Sequence, residues 1–139
     1  MSEQGFEQLI ETAKAARLQS VAPFSKFLVG AAVKTEGGKV YTGCNVESAS
    51  YGLTVCAERV AIWKALSEGE REFTELAIVA DTGQLTPPCG TCRQIIHEFC
   101  EDATIVLANL RGATETCTID ELLPRAFDAR FLSGTAKKS

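Results

Sequence analysis

The sequence predicts an α/β fold built on a mixed sheet, and three observations carry that expectation. Apolar strand-like runs alternate with segments of helical period along the second half of the chain. Strand–helix–strand order of this kind favours parallel pairs with helices packed on the sheet faces. Glu36-Gly37-Gly38-Lys39 lies between two strand-like runs as a hairpin turn and adds an antiparallel pair. A chain of 139 residues has the size of one compact domain with its own core.

The elements follow in order. Phe6, Leu9, Ile10, Ala13 and Arg17 fall at helical spacing, which predicts an amphipathic helix from Glu3 to Gln19, ended by Pro23. Phe27 to Val33 is an apolar run and reads as a buried strand, with Val40 to Val46 as its return. Glu47 to Val55 has no period and reads as a loop. Ala57 to Leu66 carries Ala57, Val60, Ala61, Ala65 and Leu66 at helical spacing, with Gly69 as the C-terminal cap. Leu76 to Ala80 is a short buried strand, and Asp81 to Pro88 a loop. Cys92, Ile95, Ile96 and Phe99 share a face, so Cys89 to Cys100 reads as a helix. Thr104 to Ala108 and Thr114 to Thr118 are the last strands. Ile119 to Phe127 looks helical but is interrupted by Pro124. Residues 1–139 are expected to form a single domain, with 133–139 as a flexible tail.

Charge and composition narrow the classes of function. Fourteen basic and eighteen acidic side chains give a net charge of -4, with no basic, aromatic-laced segment, so a nucleic-acid partner is not expected. The start, Met1-Ser2-Glu3-Gln4, is acidic and polar and does not read as a secretory signal. No apolar run approaches ~18 residues, so no membrane association is expected. A cytoplasmic location is the expectation, and there the six cysteines are ligands, nucleophiles or packing residues rather than disulfides. The single histidine, His97, leaves no basis for a multi-histidine metal site.

Cys89-Gly90-Thr91-Cys92 follows the Pro87-Pro88 loop and opens a helix. Such a pair is either a redox dithiol or half of a metal site. Cys56-Ala57-Glu58 opens the other well-formed helix. A helix N-terminus presents free N–H groups and a positive dipole end, which favours thiolate over thiol. Three thiolates brought together suit zinc, and three protein ligands leave the fourth position open, as in a catalytic site. His97, five residues beyond Cys92, lies about 140° around the helix from it, and Cys100 about 12 Å along the axis, so neither suits the fourth position. Glu58 is two residues from Cys56, about 200° away on a regular helix, which opposes joint action on a helix flank but not off the helix end. There a carboxylate serves as a proton acceptor; the alternative is simple complementation of the helix dipole. Zinc with three thiolates carries a negative charge that Arg59 can offset by reaching back to Cys56, with Arg93 a weaker candidate.

These motifs resemble the zinc nucleobase deaminases, with cysteine where the related signature has histidine. The likeness extends over Pro23-Phe24-Ser25-Lys26-Phe27-Leu28-Val29-Gly30-Ala31-Ala32, Gly43-Cys44-Asn45-Val46-Glu47, Cys56-Ala57-Glu58-Arg59, Pro88-Cys89-Gly90-Thr91-Cys92-Arg93-Gln94 and Glu121-Leu122-Leu123-Pro124 with Phe127. Residues 6–127 are thus similar to the small, three-cysteine, homotetrameric cytidine deaminases. The resemblance implies a three-layer α/β/α fold on a mixed five-stranded sheet. It implies one zinc ion per subunit on Cys56, Cys89 and Cys92, with Glu58 as the proton shuttle. Asn45 and Glu47 resemble a pair that binds the ribose hydroxyls; two apart on a strand, they face the same way. Phe27 resembles the residue packed on the pyrimidine, and the Ala57 backbone the group that reads its edge. Ala49, Tyr51 and Phe127 resemble positions that reach a neighbouring subunit's site.

The implied activity is hydrolytic deamination of cytidine and deoxycytidine to uridine and deoxyuridine with release of ammonia, in pyrimidine salvage. Glu58 would carry protons from the attacking water to N3 and to the departing amine. Deamination of another nucleoside or analogue, of the blasticidin type, is the alternative on the same fold. A thiol-disulfide oxidoreductase using Cys89 and Cys92 is the alternative of another class, and it leaves Cys56 and Glu58 without a role. The sequence departs from the family pattern at Phe24, at Pro87 and after Phe127, where Arg130-Phe131 replaces an acidic stretch. Cys44, Cys100 and Cys117 read as packing residues.

Overall fold

A computed structural model describes residues 3–133. Strands β1 (Val29–Thr35), β2 (Val40–Cys44), β3 (Phe73–Ala80), β4 (Thr104–Ala108) and β5 (Thr114–Cys117) form one sheet in the order β2-β1-β3-β4-β5. Only β3 and β4 pair in parallel; the other three pairings are antiparallel. The mixed five-stranded sheet of the sequence reading is therefore present, with its parallel part confined to the β3–α–β4 crossover.

The sheet's alternation sorts its residues into two faces. Ala32, Ala77, Val79, Val106 and Ala108 meet Phe6, Leu9, Ile10 and Ala13 of the first helical segment, a 3-10 turn (Glu3–Phe6) leading into α1 (Glu7–Arg17). The small residues on this face let the helix approach closely. At Gly30 any side chain would collide with the backbone of Ala13 and Arg17. Ala31, Val33, Leu76, Ile78, Ile105 and Leu107 point the other way, onto α2 (Ala57–Ser67) and α3 (Gly90–Phe99) through Ala61, Ile62, Ala65 and Ile96. Helices thus cover both faces, giving the three-layer α/β/α arrangement.

The local signals mostly produce the expected ends. Gly38 adopts φ 94° in the β1–β2 hairpin. Gly69 adopts φ 96° after α2, with Gly69 N–H on Leu66 O at 3.0 Å and Glu70 N–H on Ala65 O at 3.1 Å. That paired reversal is a Schellman ending. β1 starts two residues later than the apolar run does, because Lys26 at φ 61° keeps the chain turning before Phe27. The loop of residues 47–55 contains a 3-10 turn, Tyr51–Leu53.

The C-terminal helix expected over residues 119–127 is corrected. Helix α4 covers only Ile119–Leu122, opened by a Thr118–Glu121 capping box. Leu123, ahead of Pro124, leaves the helical region at φ -143° and ψ 73°, as steric conflict with a following proline ring demands. A separate turn, α5 (Arg130–Ser133), follows. The expected tail lies, from residue 134 on, outside the described residues.

Candidate zinc centre and active site

The two helix starts on the α2/α3 face bring the site together. Gly43 in β2 lies directly beneath the first turn of α2, where a Cβ would collide with Ala57 O and Ala61 N. Cys56 is the N-cap of α2 and Cys89 the N-cap of α3, both with extended backbone (ψ 156° and 169°); Cys92 stands in the first turn of α3. The extended N-cap conformation removes the objection based on the Cys56–Glu58 angle. Cys56 does not lie on the helix flank but turns out over its end, so the helical wheel does not apply to it.

The Cys56 and Cys89 sulfurs are 3.6 Å apart, and the Sγ atoms of Cys56, Cys89 and Cys92 all lie within 4.8 Å of one another. A tetrahedral zinc with Zn–S bonds of about 2.3 Å sets its sulfurs about 3.8 Å apart, so the spacing suits zinc. A disulfide would need about 2.05 Å, and all six cysteines are free. The three sulfurs share charge unequally. Cys56 is drawn down to about 5, chiefly by the Cys92 thiol hydrogen bond and then by Arg59 and Cys89. Cys92 is pushed above the ordinary thiol range by the same contact and by burial. A soft divalent cation relieves this conflict by accepting all three as thiolates.

Glu58 sits beside this cluster and is 4% exposed. Burial pushes its carboxyl up to about 7, and the negative charge at Cys56 adds to the effect. Arg59 places Nη2 at 3.8 Å from Cys56 Sγ and 3.2 Å from Thr54 O, with its guanidinium 5.7 Å from the Trp63 ring centre. It takes the thiolate-partner position expected of it. Arg93 does not: it donates to Pro88 O and Leu122 O, both at 2.8 Å. It thereby ties the loop before Cys89 to α4, a role that adjacency to Cys92 gave no means of reading. Trp63, the aromatic under Arg59, was not singled out from sequence either; its position four residues after Arg59 on α2 is the signal that could have found it.

The remaining site residues divide into groups. Asn45 is 9% exposed; its Oδ1 accepts from Val29 N–H at 2.9 Å and its Nδ2 donates to Phe27 O at 2.7 Å. Glu47 Oε1 accepts from the Phe24 and Ser25 amides at 3.0 and 3.1 Å, and Oε2 from the Ser25 hydroxyl. The Ser25 hydroxyl and then its amide lower the Glu47 carboxyl below its ordinary range. Both side chains reach the same 24–29 segment, although β2 ends at Cys44 rather than Val46 and the chain there is tied by isolated bridges of Val46 to Val21 and Val55. Glu47 and Tyr51 line a cleft of about 430 Å³ with Phe24, Ser25 and Thr54. Phe27 is 40% exposed, Ala49 exposed and Ala57 buried. Phe127 stands apart, in a cleft with His97 and Phe131. Cys100 and Cys117 pack against the core of the α2/α3 face.

Three clustered cysteine sulfurs would hold zinc, and the buried Glu58 carboxyl beside them, raised to about 7, has the character of an acid–base group for metal-assisted hydrolysis. The description "cytidine and deoxycytidylate deaminase zinc-binding region" belongs to the family model that matches residues 4–108. The cytidine deaminase of Sporosarcina psychrophila is 49% identical over 133 residues, 95% of this chain and 98% of that protein. That of Halalkalibacterium halodurans is 49% identical over 128 residues, 91% of this chain and 97% of that protein. The crystal structure of cytidine deaminase from Burkholderia pseudomallei superposes with a TM-score of 0.84 at 46% identity, covering 91% of this chain and 100% of that one. The chain belongs to the cytidine and deoxycytidylate deaminase family. No helix among the described residues is long and apolar enough to cross a membrane.

Proposed function

We infer that this protein hydrolytically deaminates cytidine and deoxycytidine to the uridine nucleosides and ammonia. The observation that carries the reading is the buried Glu58 beside the Cys56, Cys89 and Cys92 sulfurs. Bound by those sulfurs, zinc supplies Lewis acidity that makes a water molecule nucleophilic near neutral pH. Glu58 supplies the proton traffic. Its carboxylate accepts one proton from the attacking water and delivers it to N3 of the base, then takes the second proton from the hydroxyl formed at C4 and gives it to the amine that leaves from C4. A carboxyl raised to about 7 is poised to take and give a proton in the same cycle.

The nucleoside contacts follow the family pattern. Phe27 packs on the pyrimidine and the Ala57 backbone reads its edge, while Asn45 and Glu47 hold the ribose hydroxyls. Asn45 retains one Oδ1 lone pair and one Nδ2 hydrogen beyond its bonds to Val29 and Phe27. Ala49, Tyr51 and Phe127 serve a neighbouring subunit's site in a homotetramer with one zinc per subunit. Their exposure supports that assignment: Tyr51 is 77% and Phe127 58% exposed, with Phe24, Leu53 and Phe131 also open. The chain acts as a single domain in the cytoplasm, in pyrimidine salvage.

The test is cytidine turnover followed by ultraviolet absorbance and ammonia release, before and after removal of zinc. Turnover lost with a chelator and restored by zinc is expected. Zinc-loaded protein that turns over blasticidin-type analogues but not cytidine contradicts the substrate assignment. Redox cycling of Cys89 and Cys92 without stoichiometric zinc contradicts the class of enzyme.

A further inference from the structure

Phe127 belongs to a stretch with little of its own to hold it. Pro124 and Arg125 (φ 56°) break the chain after α4, and α5 is a turn of four residues. So short a helix does not stabilise itself. The support comes from α3, the helix whose start carries Cys89 and Cys92. Gln94 Nε2 donates to the Phe127 carbonyl at 2.8 Å. One turn further on the same face, His97 Nε2–H donates to Asp128 Oδ2 at 2.8 Å.

Asp128 is 3% exposed, and a carboxylate taken out of water persists only when paired. Its second partner is Arg130, with Nη2 at 2.8 Å from Oδ2, and Nε and the backbone amide at 3.0 and 2.9 Å from Oδ1. Arg130 first and then His97 hold the Asp128 carboxyl well below the usual carboxylate range. The Asp128 carbonyl also accepts from the Phe131 amide at 3.1 Å. The consequence is a defined ring pair: Phe131 stacks on Phe127 at 5.6 Å between centroids and 17° between planes.

We propose that Asp128, clamped between His97 and Arg130, is a positioning residue for substrate binding that fixes Phe127, backed by Phe131, as a preformed aromatic wall offered to the neighbouring subunit's nucleoside site. The proposal rests on the reading of Phe127 as a substrate contact. His97, which does not suit the zinc site's fourth position, has its task in this clamp. Because the anchor is on α3, the helix that carries Cys89 and Cys92 for its own subunit's site also holds the aromatic wall offered to the neighbour's.

The test compares Asp128→Asn, Phe127→Ala and the double variant as zinc-loaded, full-length protein. The readouts are kcat and KM for cytidine and the Kd of uridine by calorimetry. Asp128→Asn is expected to raise KM and Kd about fivefold or more, with a smaller change in kcat. In the Phe127→Ala background the same substitution is expected to add nothing further, because it acts through that ring. Arg130→Met, at a position 48% exposed, is expected to shift KM in the same direction and carries the test if Asp128→Asn does not fold. An equal loss in both backgrounds overturns the proposal, as does an unchanged KM in Asp128→Asn or, failing that variant, in Arg130→Met. Phe127→Ala with unchanged KM overturns the reading of Phe127 and the clamp with it. A raised KM in Phe127→Ala but not in Asp128→Asn overturns the clamp alone.

Discussion

Glu58 is a carboxyl group kept out of water at the start of a helix, and that placement costs stability whenever the group is charged. In the unfolded chain it ionises near 4.5; in the folded, metal-stripped protein it does so at about 7. A raised folded value means that the carboxyl's contribution is fully present below about 4.5 and is lost as pH rises through about 7. Glu58→Gln should therefore stabilise metal-stripped protein by about 1–3 kcal/mol above pH 7, with the gain vanishing as pH falls toward 4.5. Urea titrations of both proteins at pH 5 and pH 8 measure this, and an equal difference at the two values contradicts it. The three cysteines are legible in the sequence because they mark helix starts, whereas Glu58 gains its proposed role from the resemblance to the deaminases, its spacing from Cys56 alone opposing joint action on a helix flank. Arg93 and Asp128 are not legible there. Arg93 joins the Pro88 carbonyl, five residues before it, to the Leu122 carbonyl of α4, twenty-nine residues after it, and Asp128 is paired with a residue thirty-one positions away. Neither relation leaves a periodic trace.

At the scale of elements, the site depends on how closely α2 rides over β2. Gly43 sets that distance, since a methyl group there meets Ala57 O and Ala61 N. Gly43→Ala should cost about 1–3 kcal/mol through overpacking. It should also weaken zinc binding about tenfold or more by displacing the turn that carries Cys56. Thermal unfolding and zinc competition against a chromogenic chelator test both effects; a variant with native stability and zinc affinity contradicts them. Periodicity revealed the helices and strands where a regular face is buried, as in Phe6, Leu9, Ile10 and Ala13. It failed after Ile119, where Pro124 ends the helix and side-chain pairing replaces regular packing. β3 begins at Phe73 rather than Leu76 because pairing with β1 continues past a bulge, a partnership invisible in the isolated segment.

At the scale of the molecule, the three-layer sandwich places α2 and α3 on one face of the sheet and leaves several large apolar side chains on the surface, among them Phe24, Tyr51, Leu53, Phe127 and Phe131. Such a set is what a shared subunit interface would cover. Sedimentation equilibrium of zinc-loaded protein should give the mass of four chains, and a monomer at micromolar concentration would contradict the shared site. The net charge of -4 fits a site for a neutral nucleoside rather than a polyphosphate strand. In the proposed division of labour Glu58 carries the protons while the cysteines hold the metal. Its most direct test is cytidine turnover by Glu58→Ala, with bound zinc quantified in the same sample. One zinc per chain is expected to be retained, with turnover reduced by about 10³-fold. Substantial deamination by the zinc-loaded variant would contradict it.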